Sequence, residues 1–301
     1  MVALNLRIAT RRSPLARAQA MLVSNLLVSA NPRLTTELVL LDTIGDQEQD
    51  RPIEDLGEQG VFSRSVQLAL LDGRADVAVH SFKDLPTAGL EELYIGAVPA
   101  REDPRDAVVS YSGRRLAELP SGSTVGTSSA RRTAQINRLR PDLEILSLRG
   151  NVGTRVARVR PGDLDAAVMA VAGLKRLAMV DFISEVLEPP EFLPAPAQGA
   201  LAVEVRTDRP EVQEAVGLID DADARATTAA ERAFLQSLRA GCNVPVAALA
   251  TLNRSELTLV AAVFEHDASR PEIGVAQPED ADALGRTVAA RVLAARVPQA
   301  Q

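Results

Sequence analysis

Apolar and polar residues alternate at the start of the chain: Leu4, Leu6 and Ile8 enclose Asn5 and Arg7, the two-residue period of a strand. Thr10-Arg11-Arg12-Ser13-Pro14 breaks the pattern, with Ser13 suited to cap a helix and Pro14 to its first position. Leu15, Ala18, Leu22 and Leu26 then recur at helical spacing and predict the buried stripe of that helix. A second strand is expected over residues 37–41, a polar, acidic and mobile loop over 42–60, a helix over 62–71 and a buried strand over 76–79. The order then repeats. A short apolar run ending at Val125 leads into Gly126-Thr127-Ser128-Ser129 and a helix, and Gly162-Asp163-Leu164-Asp165-Ala166-Ala167-Val168 echoes Gly73-Arg74-Ala75-Asp76-Val77-Ala78-Val79. This echo implies two similar α/β lobes, with a ligand in the cleft between their strand-end loops.

Residues 101–106 read as the crossover to the second lobe, the proline-rich run 189–196 as the return, and 200–205 as a strand rejoining the first. Ala230, Ala233, Phe234 and Leu238 mark a helix that stops near Gly241; residues 246–252 and 257–264 read as strands, and Leu284, Val288, Val292 and Ala295 mark a last helix. The expected division is 1–99 with 200–219, 100–199, and a smaller α+β domain over 220–301. At 301 residues the chain is long enough for two or three domains.

Composition narrows the function. A net charge of −7 argues against general nucleic-acid binding, and 3% aromatic residues with no tryptophan remove base-stacking platforms. No apolar run reaches membrane-spanning length, and Met1-Val2-Ala3-Leu4-Asn5-Leu6-Arg7 has no signal-peptide layout, so a cytoplasmic protein without membrane or nucleic-acid partners is expected. One cysteine excludes an intrachain disulfide, and two distant histidines give no zinc motif.

Arginines clustered in an acidic chain point to a local anion site. The Gly126–Ser129 turn offers hydroxyls and backbone N–H groups at a helix start, where Arg131 and Arg132 are disfavoured unless something negative is bound. Leu148-Arg149-Gly150-Asn151-Val152-Gly153-Thr154-Arg155 forms a second glycine-bearing loop whose guanidinium forks suit carboxylate or phosphate. Arg11 and Ser13 form a similar loop in the first lobe. Lys83-Asp84 follows a buried strand, where α/β sheets face their ligand, and Asp84 suits proton transfer or the stabilisation of a cation. Lys175-Arg176 is expected at the corresponding position of the second lobe. His80 reads as a structural hydrogen-bonding residue. Free cysteines are most often buried and inert, but Cys242 in a Gly-Cys loop beyond a helix end fits covalent attachment better than hydrolytic catalysis.

Arg7-Ile8-Ala9-Thr10-Arg11, Val79-His80-Ser81-Phe82-Lys83-Asp84-Leu85-Pro86, the stretches 101–106, 125–132, 148–155, 170–177 and 194–200, and Gly241-Cys242 run in order over nearly the whole chain. On these motifs the chain closely resembles the hydroxymethylbilane synthase, or porphobilinogen deaminase, family. The resemblance implies two lobes like periplasmic binding proteins, a small third domain, and a dipyrromethane cofactor joined by a thioether to Cys242. It implies condensation of four porphobilinogen molecules head to tail with release of ammonia, then hydrolysis of linear hydroxymethylbilane, by a monomer that needs no metal. It places Asp84 as the catalytic carboxylate. Lys83, Thr127, Ser129, Arg131, Arg132, Arg149 and Gly150 fall on cofactor positions, and Arg11, Ser13, Arg155 and Arg176 on positions for substrate and the growing chain. The pattern departs at Asp55 and Gln59, where many members carry lysines before the helix at Phe62. The alternative is a non-catalytic anion-binding protein of the periplasmic-binding type.

Overall fold

The structure, a computed structural model, describes residues 4–41, 61–238, 244–264 and 271–296. The expectations for 42–60, with Asp55 and Gln59, and for Gly241 and Cys242 lie outside the described residues. The chain divides into two compact units, residues 1–102 with 200–225 and residues 103–199 with 226–301.

In the first unit, β1 (Asn5–Arg11), β2 (Thr35–Leu41), β3 (Val77–Ser81), β4 (Leu93–Ala97) and β10 (Leu201–Arg206) form one sheet in the order β2-β1-β3-β10-β4. β1 runs parallel to β2 and β3, and β10 antiparallel to β3 and β4. Both faces of β1 are covered. Leu6 and Ile8 pack with Ala20, Val23 and Leu27 of α1 (Pro14–Ala30), while Ala9 packs with Val66, Ala69 and Leu70 of α2 (Val61–Leu71). Burial on both faces, each large side chain contributing about 1.5–3 kcal/mol, fixes the strand end that carries Arg11.

The buried stripe of α1 differs from the expected one. Gln19, Ala20, Val23, Ser24 and Leu27 face inward, and Leu22 is 41% exposed. The segment is apolar around most of its circumference, so spacing alone leaves the phase open. Two polar residues settle it through partners distant in sequence: Gln19 Nε2 donates to Ser81 Oγ at 2.8 Å, and Ser24 Oγ lies 2.6 Å from Thr36 Oγ1.

The second unit repeats the architecture. β5 (Asp106–Ser110), β6 (Thr124–Gly126), β7 (Glu144–Leu146), β8 (Ala166–Ala170) and β9 (Glu185–Leu187) follow the order β7-β6-β8-β5-β9. In both sheets the second, first and third parallel strands are followed by one antiparallel strand that enters directly after a crossover. The match reaches single residues. Asp76, before β3, accepts from the Arg7 backbone N–H at 3.0 Å, and Asp165, before β8, accepts from the Thr124 N–H at 2.8 Å. Each aspartate N–H donates back to the carbonyl of the same residue, Arg7 at 2.9 Å and Thr124 at 3.1 Å. α3 (Ala130–Leu139), α4 (Val152–Ala157) and α5 (Val171–Arg176) complete this lobe, and α6 (Pro210–Gly217) packs in the first.

The C-terminal part has an antiparallel sheet of β11 (Val246–Asn253), β12 (Glu256–Val263) and β13 (Glu272–Ala276), the last unforeseen in the sequence. α7 (Ala222–Ser237) and α8 (Ala281–Arg296) pack on it through Ala230, Phe234, Leu284, Val288 and Val292, as the spacing predicts; Ala295, the fourth member of the last stripe, is exposed. Within this unit Glu231 of α7 is fully buried and accepts from the Ala197 N–H at 2.6 Å and the Ala250 N–H at 2.7 Å.

A Cβ added at Gly285 would press on the Ala230 carbonyl and lie 2.7 Å from both Ala233 Cβ and the Phe234 nitrogen. Backbone atoms cannot swing aside, so overpacking of about 1–3 kcal/mol should outweigh the gain of about 1 kcal/mol in helix propensity. Gly285→Ala is expected to lower the urea midpoint; a raised midpoint would contradict this close helix crossing.

Candidate functional site

In the first unit, the ends of β1 and β3 meet. Ser13 caps α1, its Oγ accepting from the Ala16 N–H at 3.4 Å, and the Thr10 hydroxyl donates to the Ala16 carbonyl at 3.0 Å. Beyond Ser81 the chain makes a single 3-10 turn, Phe82–Asp84. Phe82 and Leu85 are buried on either side, which leaves Lys83 and Asp84 projecting outward. The Phe82 N–H donates to Ala200 at 3.1 Å and anchors the turn to β10. Arg11, Ser13, Gln19, His80, Ser81 and Asp84 line an open pocket of about 100 Å³. Below it Glu204 is buried, accepting from Gln67 Nε2 at 3.1 Å and facing His80 Nε2 at 3.1 Å. The structural role read for His80 agrees with this pairing. The pocket thus offers a cation, hydroxyls, an amide and a carboxylate, a set matched to a small ligand with both acidic and N–H groups.

In the second unit, the two glycine-bearing loops are stitched together by one hydroxyl. Ser128 Oγ accepts from the Leu148 N–H at 3.0 Å and donates to the Leu148 carbonyl at 2.9 Å. Gly126 permits the approach, because a Cβ there would lie 2.7 Å from Leu164 and 2.8 Å from Leu148. Thr127 Oγ1 accepts from the Ser129 N–H at 3.2 Å, and Ser129 caps α3. Gly150 has φ +99°, a left-handed conformation that a side chain resists, and a Cβ there would also crowd Thr154. Arg155 Nε donates to the Gly150 carbonyl at 2.8 Å, while Arg149 is exposed. Thr127, Ser129, Arg149, Gly150 and Arg155 therefore stand on one loop pair. Arg176 donates to the Gly199 carbonyl at 2.6 Å. Strand register corrects one expectation: Ser81 corresponds to Ala170, so Lys83-Asp84 matches Ala172-Gly173, and Lys175-Arg176 lies nearly a turn further on.

The negative partner required by Arg131 and Arg132 is supplied in part by the chain itself. Asp106 is wholly buried at the head of β5, and both arginines are buried beside it. Arg132 donates from Nε and NH2 to Asp106 Oδ1 at 3.1 and 2.7 Å. Arg131 NH1 lies 2.7 Å from Oδ2 as an ion pair. Burial works to raise the Asp106 carboxyl, and the two guanidiniums overcome it and hold it below the usual carboxylate range. Asp106, Gln19, Ser81 and Glu204 were not singled out from the sequence. An acid opening the otherwise apolar run Asp106-Ala107-Val108-Val109 was the available signal for the first.

The family model described as porphobilinogen deaminase, dipyromethane cofactor binding domain, matches residues 6–214, and that of the porphobilinogen deaminase C-terminal domain matches 226–294. The chain is 45% identical over 299 residues to a porphobilinogen deaminase of Mycolicibacterium gilvum (strain PYR-GCK), covering 95% of each chain.

The chain belongs to the porphobilinogen deaminase family.

A second relative with that description, from Mycobacterium ulcerans (strain Agy99), is 48% identical over 299 residues, covering 95% of this chain and 94% of its own. One from Roseiflexus sp. (strain RS-1) is 48% identical over 252 residues, covering 84% and 83%. The chain is accordingly a transferase that acts on porphobilinogen with a dipyrromethane cofactor, and a non-catalytic anion binder is set aside. The residues present fit a polycarboxylate cofactor: hydroxyls and guanidiniums crowd the loop pair, and two buried arginines share one aspartate. No described helix is long and apolar enough to cross a membrane.

Asp76, Asp103 and Asp106 all lie below the ordinary carboxylate range, burial raising each and arginine partners more than offsetting it. Depressed carboxylates contribute stability that is fully present above the unfolded-state value of about 3.9 and is lost as pH falls through the lower folded-state values. The urea midpoint should therefore change little from about pH 7 to pH 5 and drop steeply below about pH 4. A midpoint that holds steady to about pH 3 would show these ion pairs to be immaterial.

Proposed function

We propose that this chain catalyses the head-to-tail condensation of porphobilinogen with Asp84 as its catalytic carboxylate. The observation that carries the reading is the first-unit pocket, where Asp84 stands with Arg11 and Ser13 at the ends of β1 and β3. Porphobilinogen bears an acetate, a propionate and an aminomethyl group on a pyrrole. Arg11, Ser13, Arg155 and Arg176 bind its carboxylates and those of the growing chain, guanidinium forks being matched to that geometry. Loss of ammonia leaves a delocalised cation on the substrate. Asp84, an anion presented by a rigid turn, accepts from pyrrole N–H groups and stabilises the charge as it develops.

Dipyrromethane, when bound, supplies the pyrrole carbon onto which substrate units are joined. Cys242 would hold it by a thioether, and Lys83, Thr127, Ser129, Arg131, Arg132, Arg149 and Gly150 would hold its carboxylates and backbone. Residues 220–301 form the domain that carries Cys242, and the enzyme works as a cytoplasmic monomer. The chain is active with Asp55 and Gln59 where many members carry lysines, because the guanidinium forks of the arginines supply the stronger carboxylate pairing.

A carboxylate aimed at a developing cation is worth a few kcal/mol, or about two decades in rate. Asp84→Asn keeps the shape and removes the charge, so kcat should fall by about two decades or more while the cofactor is still present by mass. Near-normal turnover in the loaded variant would reject Asp84 as the catalytic group.

A further inference from the structure

Asp106 lies behind the loop pair rather than on it. Its Oδ1 receives three donors: Arg132 Nε at 3.1 Å, Arg132 NH2 at 2.7 Å and Gln198 Nε2 at 3.0 Å. Each arginine is also tied to a backbone carbonyl. Arg132 NH1 donates to Val168 at 3.0 Å, and Arg131 NH1 donates to Leu193 at 2.6 Å. Gln135 grips Leu193 as well, donating to its carbonyl at 3.0 Å and accepting from its N–H at 2.7 Å. Gln198 reaches across to the Pro104 carbonyl at 2.7 Å, joining the segment that enters this unit to the one that leaves it. Both guanidiniums are thus held at fixed edges by groups that are themselves held.

The charge count is unequal. Two guanidinium cations and one carboxylate leave one net positive charge in a cluster whose members are all nearly inaccessible. Burial lowers the Arg131 guanidinium from its usual value; Asp106 opposes this and repulsion from Arg132 adds to it. An uncompensated buried cation is costly, and a ligand carboxylate relieves that cost only if the donors already point the right way.

We propose that Asp106, braced by Gln198, is a positioning residue that aims Arg131 and Arg132 and leaves them with one positive charge in excess, for a single carboxylate of the dipyrromethane. This rests on the cofactor reading above. An aspartate that merely filled the core would stabilise loaded and unloaded protein alike. One that aims the arginines contributes more to the loaded form.

The test compares wild type, Asp106→Asn and Gln198→Met, each as cofactor-free and cofactor-loaded full-length protein. Occupancy is followed by intact mass while cofactor-free protein is incubated with porphobilinogen, and the melting temperature is recorded for both forms. Asp106→Asn should load about tenfold more slowly or worse, because misaimed guanidiniums lose the orientation that binding needs, and the rise in Tm on loading should shrink. Gln198→Met should shift both readouts in the same sense by less. Equal loading rates and an unchanged Tm increment in Asp106→Asn would overturn the proposal, even if both forms melt lower. If Asp106→Asn does not fold, Gln198→Met decides, and wild-type loading by that variant overturns the proposal. A wild-type protein that never gains a dipyrrole would instead refute the cofactor reading itself.

Discussion

The ion cluster around Asp106 is the constraint on which the second unit depends. It sits where β5 begins, where α3 starts and where the chain prepares to leave at Gly199. Removing one member of such a buried set strands the others at a cost of about 3–5 kcal/mol, far more than an exposed pair. The loops that carry Thr127, Ser129, Arg149 and Arg155 inherit their placement from it. Arg131 and Arg132 lie in the first turn of α3, and Ser128, two residues before that helix, clamps the Arg149 loop through Leu148. Electrostatics here sets geometry, and the geometry in turn sets where the remaining positive charge is offered.

The two lobes solve the same local problem with different chemistry. In each, an aspartate before the third strand pairs through both its side chain and its backbone with a residue at the start of the first strand, fixing register where a one-residue slip would turn every side chain over. With the register fixed, the residues beyond the first strand are free to vary. The first unit ends β1 in Arg11 and caps α1 with Ser13, and its third strand delivers Lys83 and Asp84. The second unit offers hydroxyls at Thr127 and Ser129, and its third strand delivers Ala172 and Gly173 in place of a reactive pair. Asp84 thus stands at a strand end of the first lobe, and the corresponding strand end of the second carries no carboxylate.

Much of this was legible in the residues. Alternation found β1, helical spacing found α7 and α8, a buried apolar run found β3 and a capping turn found α3, and the echo of Gly73–Val79 in Gly162–Val168 foretold two similar α/β lobes. Other features depended on distant partners. The phase of α1 turned on Gln19 and Ser24, polar residues that become buried only because Ser81 and Thr36 meet them. Asp106 read as part of a crossover because its charge is answered by arginines 25 and 26 positions away, a pairing that no local pattern carries. The offset between Lys83-Asp84 and Lys175-Arg176 escaped notice because motif matching counts residues and not strand register.

The central claim is that this chain carries its own covalent dipyrrole primer and builds product upon it. Intact mass of the purified protein, wild type beside Cys242→Ala, tests it most directly. The account predicts a wild-type mass above that of the polypeptide by one dipyrrole and a variant at the polypeptide mass. A wild type at the bare polypeptide mass, or a dipyrrole still covalently present in Cys242→Ala, would contradict it.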